Sequence, residues 1–241
     1  MRGDTTALGP AVVQTGLAPS RNLLEEPALS GEQLDGAMAA THEGVRGIEG
    51  HFKDTVHAIR TLAAAGLTVQ VNTTVMRANV DELADIAALI SSAGAHIWEV
   101  FFLVQVGRGV ATEAVSPAEH EDICHFLFDA SQHGFIVRTV EAPFFRRVVK
   151  CRLAGEPAPT TDLYERLMGP SIGRARAHTA ATRDGKGIVF VAYDGEVYPA
   201  GFLPEPLGNV KTTPIAEIYQ DNPLLRRIRA ADFTGRCGRC E

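Results

Sequence analysis

Between Leu67 and Gly109 the spacing of apolar and polar positions changes twice. Val69, Val71, Thr73 and Val75 alternate with Gln70, Asn72 and Thr74, the period of a half-buried strand. Val80, Leu83, Ile86, Ala87 and Ile90 then recur at helical spacing, with Asn79 placed to cap the helix, Glu82 to complete a capping box and Gly94 to close the end. Ile97 to Gln105 is nearly continuous apolar, as in a strand covered on both faces, and Gly107-Arg108-Gly109 turns the chain away. Strand, helix and strand in that order predict a right-handed βαβ unit with parallel strands. The polar face of the first strand, shared by Glu99, Leu103 and Gln105 on the second, either looks into a barrel lumen or cleft or only hydrogen-bonds neighbouring loops. The pattern alone leaves both readings open.

The same alternation extends to either side. Phe52, Val56, Ile59 and Leu62 mark a helix ending at Gly66. Ahead of it, residues 34–52 read as a glycine-loosened loop holding an Asp35-Gly36 turn, His42 and Arg46, and the expected role of Arg46 is an ion pair with a nearby acid rather than anion binding. Downstream, Ser116-Pro117-Ala118-Glu119 is a capping box with proline at the first helical position. Ile123, Phe126, Leu127 and Ala130 form the buried stripe of that helix, with Cys124 as a small core residue beside it, and residues 135–140 form a further strand. Alternating strands and helices predict an α/β fold with a parallel sheet.

From 141 the rhythm is lost. A basic helix is predicted over 141–153, with Arg146, Arg147, Lys150 and Arg152 as a solvated face, followed by prolines, a short helix over 161–167 and a loop. Residues 187–193 form a strand, Asp194-Gly195 a hairpin turn and 196–200 the returning strand. Thr213-Pro214 and Asn222-Pro223 each open a helix. Four segments follow: a poorly patterned lead-in over 1–28, an α/β region over 29–140, a helical linker over 141–185 and a hairpin-plus-helix domain over 186–241.

The net charge of −6 argues against nucleic acid as a partner, which calls for a basic face. The apolar run VFFLV is far too short to span a membrane, and no secretory leader is evident, so a cytoplasmic protein without a membrane partner is expected. Two of the four cysteines form Cys237-Gly-Arg-Cys240. In a cytoplasmic chain such a pair points to metal or redox chemistry rather than a structural disulfide. Two thiolates separated by two residues can hold one metal ion or one iron of a cluster, which is half a tetrahedral site. A small hairpin-and-helix domain with little core often needs such a centre. A thioredoxin-like dithiol would require a strand-then-helix context that is missing. Cys151 has no near partner in sequence and carries no assigned role.

Three stretches together resemble a radical S-adenosylmethionine protein with a C-terminal SPASM-type iron–sulfur domain, of the haem d1 and alternative-haem maturase subgroup. LDGAMAATHEGVRGIEGHF (34–52) resembles that family's Ser-Leu-Asp-Gly strand end and His-x-x-x-Arg-Gly loop. VQVNTTVMRANVDEL with WEVFFLVQVGRG resembles its fifth and sixth barrel strands, and the segment from GIVFVAYDGEVYPAG to GRCGRCE the start of its auxiliary-cluster domain. The resemblance covers residues 29–140 and 186–241. It implies a partial (β/α) barrel, contributing its later strands only, followed by a SPASM-type domain. It implies S-adenosylmethionine and 4Fe–4S clusters as cofactors, and a 5′-deoxyadenosyl radical that abstracts hydrogen from a tetrapyrrole or peptide substrate in haem biosynthesis or a similar pathway, with an electron-donor protein as a further partner. Position by position, Gln70 matches a residue that contacts S-adenosylmethionine, Leu103 one that packs near its adenine, and Gln33 takes the place of a fourth-strand serine. Asn72, on the face of Gln70, joins this cofactor-binding set, and Cys237 and Cys240 match two auxiliary-cluster ligands.

The departures carry an expectation too. No Cys-x-x-x-Cys-x-x-Cys occurs in the chain, the first three barrel strands have no counterpart, and Ala200 stands where many such domains have cysteine. A piece of a longer enzyme, inactive alone and without catalytic residues of its own, is the expected reading. The alternative is a non-catalytic α/β binding module with a zinc half-site at Cys237 and Cys240.

Overall fold

The computed structural model describes residues 29–105, 113–140, 142–157, 173–178, 184–232 and 234–239. Contacts divide the chain into two compact units, parting between residues 180 and 181.

The first unit is a five-stranded sheet of β1 (Leu29–Gln33), β2 (Thr68–Val75), β3 (Ile97–Phe102), β4 (Ile136–Val140) and β5 (Ala177–His178), in the order β1-β2-β3-β4-β5. All four pairings are parallel. Each strand lies beside its predecessor, so the chain winds in one direction without reversing. Among the described residues five α-helices accompany it: α1 (Ala39–Arg46), α2 (His51–Ala64), α3 (Leu83–Ser92), α4 (Pro117–Ala130) and α5 (Phe145–Leu153). One core holds Val56 and Ile59 of α2, Leu83, Ile86 and Ile90 of α3, Ile123, Phe126 and Leu127 of α4 and Val148 of α5 against Val69, Val71 and Val75 of β2. The helices therefore cover one face of the sheet. On β2 the alternation is strict: Val69, Val71, Thr73 and Val75 are buried while Gln70, Asn72 and Thr74 on the opposite face are half-buried.

The one polar side chain on the covered face of β2 is satisfied within the core. Trp98 Nε1 donates to Thr73 Oγ1 at 2.9 Å, and that hydroxyl donates to the Leu34 carbonyl at 2.8 Å. Phe126 and Phe135 pack edge-on to the Trp98 ring. Three strands are thus joined through side chains beneath the sheet.

Several expectations are revised by tertiary contacts. The 34–52 stretch is not a loop: its His-x-x-x-Arg segment is helix α1, ended by Gly47 in the left-handed conformation at φ 72°. Asn79 and Glu82 form no capping box, since the turn at Val80–Glu82 is 3-10 and both side chains are taken by the β1 loop. β3 ends at Phe102, short of Gln105. The basic face of α5 is partly paired: Arg147 meets Glu121, and Arg152 meets Asp129 at 2.5 Å while lying over the Phe128 ring. β5 adds a strand where only loop is expected. By contrast, the Ser116–Glu119 capping box forms as anticipated, and Glu119 also grips Arg77. Arg77 and the cap hydrogen bonds hold the Glu119 carboxyl well below the usual range. The predicted short helix over 161–167 and the lead-in over 1–28 lie outside the described residues.

The second unit has a three-stranded antiparallel sheet of β6 (Phe190–Val191), β7 (Glu196–Tyr198) and β8 (Gly208–Asn209), then α6 (Ile215–Asp221) and α7 (Pro223–Ala230). The hairpin turns at Asp194-Gly195, where Gly195 has φ 91° and a Cβ would come within 2.7 Å of Asn209 Oδ1. Asn222 caps α7 by accepting from Leu224 N at 2.9 Å and ties it to the β7–β8 loop by donating to the Leu207 carbonyl. Among the described residues, Val197, Ala200, Ile218 and Leu225 are the buried apolar side chains of this unit.

Thr73→Val keeps the shape and removes the relay hydroxyl, leaving the Trp98 indole N–H without its acceptor. The expected loss of unfolding free energy is about 1–3 kcal/mol, read as a lower denaturant midpoint at unchanged slope. An unmoved midpoint would show that the relay carries no stability.

Candidate functional site

In parallel sheets, ligands gather at the carboxyl ends of the strands. Here that edge is organised by Asp35, just past β1. Its Oδ1 accepts from Thr74 N at 2.8 Å, and its Oδ2 pairs with Arg46 Nη2 of α1 at 2.6 Å. Its backbone N–H donates to His42 Nδ1 at 3.1 Å, and its carbonyl accepts from Asn79 Nδ2 at 2.9 Å. Asn79 also donates to the Thr74 carbonyl and accepts from Met76 N, so one amide locks the ends of β1 and β2 together. Glu82 holds the next turn, accepting from Ala37 N at 2.7 Å and from the Thr41 hydroxyl. Gly36 is required there because a Cβ would lie 2.7 Å from His42 N. Arg46 thus takes the ion-pair role expected of it.

His42 is fully buried. Its Nδ1 accepts a backbone N–H, so that nitrogen carries no proton. Nε2 is then the donor to His51 Nδ1, 2.7 Å away, and the two rings stack 5.0 Å apart. Burial holds His42 below the usual histidine range, with His51 and Arg46 adding to it against the opposite pull of Asp35 and Glu43.

Behind this edge, the open face of the sheet carries a polar row. Register sets Gln33 beside Asn72, Asn72 beside Glu99 and Glu99 beside Arg138. All four are half-buried. Gln70 Nε2 donates to both Asn72 Oδ1 and Glu99 Oε2, at 2.8 Å each. Three of the expected cofactor residues, Gln33, Gln70 and Asn72, are therefore brought together, and Leu103 is half-buried directly after β3. Two neighbours escaped the sequence reading. Arg138 leaves a visible signal, a charge inside the strand FIVRTV, whereas the locking role of Asn79 is hidden behind its resemblance to a helix cap.

Among thiols, burial pushes Cys124 up to about 12, so it is a core thiol, as expected. A hydrogen bond with Glu156 is the leading influence that raises Cys151. Neither is poised as a thiolate. Cys237 lies in a 3-10 turn over Cys237–Arg239 and Cys240 falls outside the described residues. No group of three or more His, Cys, Asp or Glu side chains among the described residues is placed to hold a metal ion. The residues present do not make up a four-thiolate cluster site, whereas the polar row offers the donors and acceptors that a polar nucleoside ligand needs. No helix among the described residues is long and apolar enough to cross a membrane.

Residues 183–241 match the SPASM family, described as an iron-sulfur cluster-binding domain. The AdoMet-dependent heme synthase of Nitratidesulfovibrio vulgaris is 32% identical to this chain over 262 residues, covering 100% of the chain and 68% of that protein. The chain belongs to the radical S-adenosylmethionine/SPASM family. The AdoMet-dependent heme synthase of Methanosarcina barkeri is similar at 30% identity, covering 99% of the chain and 68% of that protein. Both place the chain with the haem-maturing members of the radical S-adenosylmethionine/SPASM family, whose chemistry uses iron–sulfur clusters and S-adenosylmethionine. Among solved structures, Streptococcus suis SuiB bound to precursor peptide SuiA shares the fold, with a TM-score of 0.54 at 9% identity over 84% of this chain and 44% of that one.

The lowered pKa of His42 fixes the sign of a pH effect. The unfolded chain binds the proton more readily, so stability is full above about pH 6.5 and declines as pH falls below it. His42→Gln is expected to flatten the fall in melting temperature between about pH 7.5 and 5.5. An equally steep fall in the variant would show that other groups carry the acid sensitivity.

Proposed function

We propose that the chain is the later part of a radical S-adenosylmethionine enzyme that modifies a tetrapyrrole or a peptide, the tetrapyrrole being favoured by the names of the two synthases. In this reading the five parallel strands are the later arc of a partial (β/α) barrel within residues 29–140 and the segment after it. The segment over 141–185, expected as a linker, instead adds α5 and β5 to that arc, and 186–241 form the first part of a SPASM-type domain. Gln33, Gln70 and Asn72 hold S-adenosylmethionine, and Leu103 packs beside its adenine. When bound at a reduced four-iron cluster, this cofactor supplies hydrogen-atom abstraction through a 5′-deoxyadenosyl radical. The chain's own contribution is orientation: Asp35, Asn79 and Glu82 keep the strand ends rigid, and Gln70 spans the cofactor row and Glu99. Cys237 and Cys240 contribute two ligands to an auxiliary cluster whose remaining ligands are not in this sequence. An electron-donor protein is a further partner. The observation that carries the reading is the half-buried polar row of Gln33, Gln70, Asn72 and Glu99 beside an edge locked from four directions.

Two outcomes test it. Gln70→Ala is expected to weaken S-adenosylmethionine binding to the chain about tenfold, the loss of one hydrogen bond to a charged ligand, read by calorimetry; unchanged affinity would remove Gln70 from the cofactor set. After reconstitution with iron and sulfide, the chain with reductant and S-adenosylmethionine is expected to release no 5′-deoxyadenosine, because the Cys-x-x-x-Cys-x-x-Cys triad is absent. Detected product would overturn the claim that this chain is inactive alone. Stoichiometric zinc without an iron chromophore would favour the non-catalytic module.

A further inference from the structure

The open face of the parallel sheet carries a charge with no ion-pair partner among the described residues. Arg138 sits on β4 next to Glu99 in register, yet no ion pair joins them among the described residues. Glu99 is turned to Gln70, whose amide it accepts at 2.8 Å. Arg138 Nε is shut off from solvent and has no hydrogen-bond partner among the described residues. Four other arginines of this unit have a carboxylate partner, Arg46 in Asp35, Arg77 in Glu119, Arg147 in Glu121 and Arg152 in Asp129, although the buried Arg46 Nε likewise has no hydrogen-bond partner among the described residues.

Buried N–H groups are almost always paired, and an arginine Nε shut off from water without an acceptor is costly to the fold that holds it. Its planar fork matches a carboxylate in two-point contact. Along the strands the same-face neighbours are apolar, Ile97 beside Ile136 on one side of the Glu99–Arg138 pair and Phe101 beside Val140 on the other, while across the sheet Asn72 is in register with Glu99 and His178 of β5 with Arg138. A ligand suited to this surface has a flat apolar body with an acid at its rim.

We propose that Arg138 is a substrate-anchoring residue that binds a propionate carboxylate of a tetrapyrrole, with Phe101 and Val140 against the ring. This rests on the tetrapyrrole reading of the proposed function. The test is absorbance titration of the full chain with haem and with haem dimethyl ester, which differ only in their acid groups. The unaltered chain is expected to bind the diacid at least about tenfold more tightly than the diester, as fits one charge-assisted contact. Arg138→Gln is expected to bind both at the diester's affinity, and Arg138→Lys to recover part of the preference. The Arg138→Gln melting temperature should equal or exceed the original, since no ion pair among the described residues is lost. Equal preference for the diacid in Arg138→Gln overturns the role of Arg138 alone, while a lower melting temperature assigns it a structural role and also overturns the proposal. Failure of the unaltered chain to bind either porphyrin overturns the tetrapyrrole reading together with the anchor.

Discussion

The buried carboxylate of Asp35 is the constraint on which the carboxyl edge of the parallel strands depends. A carboxylate out of water must be matched by a counter-charge and by hydrogen bonds, or it shifts its proton and releases its neighbours. Asp35 is 1% exposed, and its carboxylate meets that demand through Arg46 of α1 and Thr74 N of β2, while its backbone N–H and carbonyl are bound by His42 of α1 and by Asn79 in the turn before α3. One residue therefore ties three elements to the end of β1. His42 can serve only while neutral, because its unprotonated nitrogen faces a backbone donor. The geometry of the strand ends is thereby linked to a proton.

Behind that edge the sheet has two unlike faces. The covered face is apolar and settles its polar atoms internally, through the Trp98–Thr73–Leu34 relay. The open face keeps polar groups half-buried and spends some hydrogen-bonding capacity within itself, through Gln70, while Arg138 Nε has no acceptor among the described residues. A fold selected for stability alone would pair or remove such a group, which is the physical ground for the proposed anchoring role of Arg138.

The second unit is built on a much smaller scale. Its described core is four apolar residues, and side-chain amides replace bulk packing: Asn209 donates to the Asp194 carbonyl and to Glu196 Oε1, and accepts from Lys211 N, while Asn222 joins α7 to the β7–β8 loop. Tyr219 is clasped by Arg229, which stacks 4.7 Å over its ring, and its hydroxyl accepts from Gly187 N. So little buried apolar surface leaves room for a bound centre to contribute stability.

Period and local chemistry were enough to read much of this protein. Alternation along Thr68–Val75 is set by geometry within one strand, so it identified β2 and both its faces; Ser116 and Glu119 lie three residues apart, so their capping box was legible as well. Gln70 and Asn72 share a face by the same alternation, whereas Gln33 was set with them by the family resemblance, and the register of β1 on β2 puts it beside Asn72. Whatever depends on a partner distant in sequence was not. Asn79 and Glu82 read as helix caps, yet Asp35 and Ala37, 44 and 45 residues away, bind them instead, because a buried strand end is a costlier place for an unpaired group than a solvated helix start. The two residues of β5 carry no periodic signal and become a strand only because β4 offers an unpaired edge. Sequence determined which side chains face the core and which face away; only the tertiary structure decided which charges meet a partner and that Arg138 Nε meets none among the described residues, since pairing is a matter of distance in space.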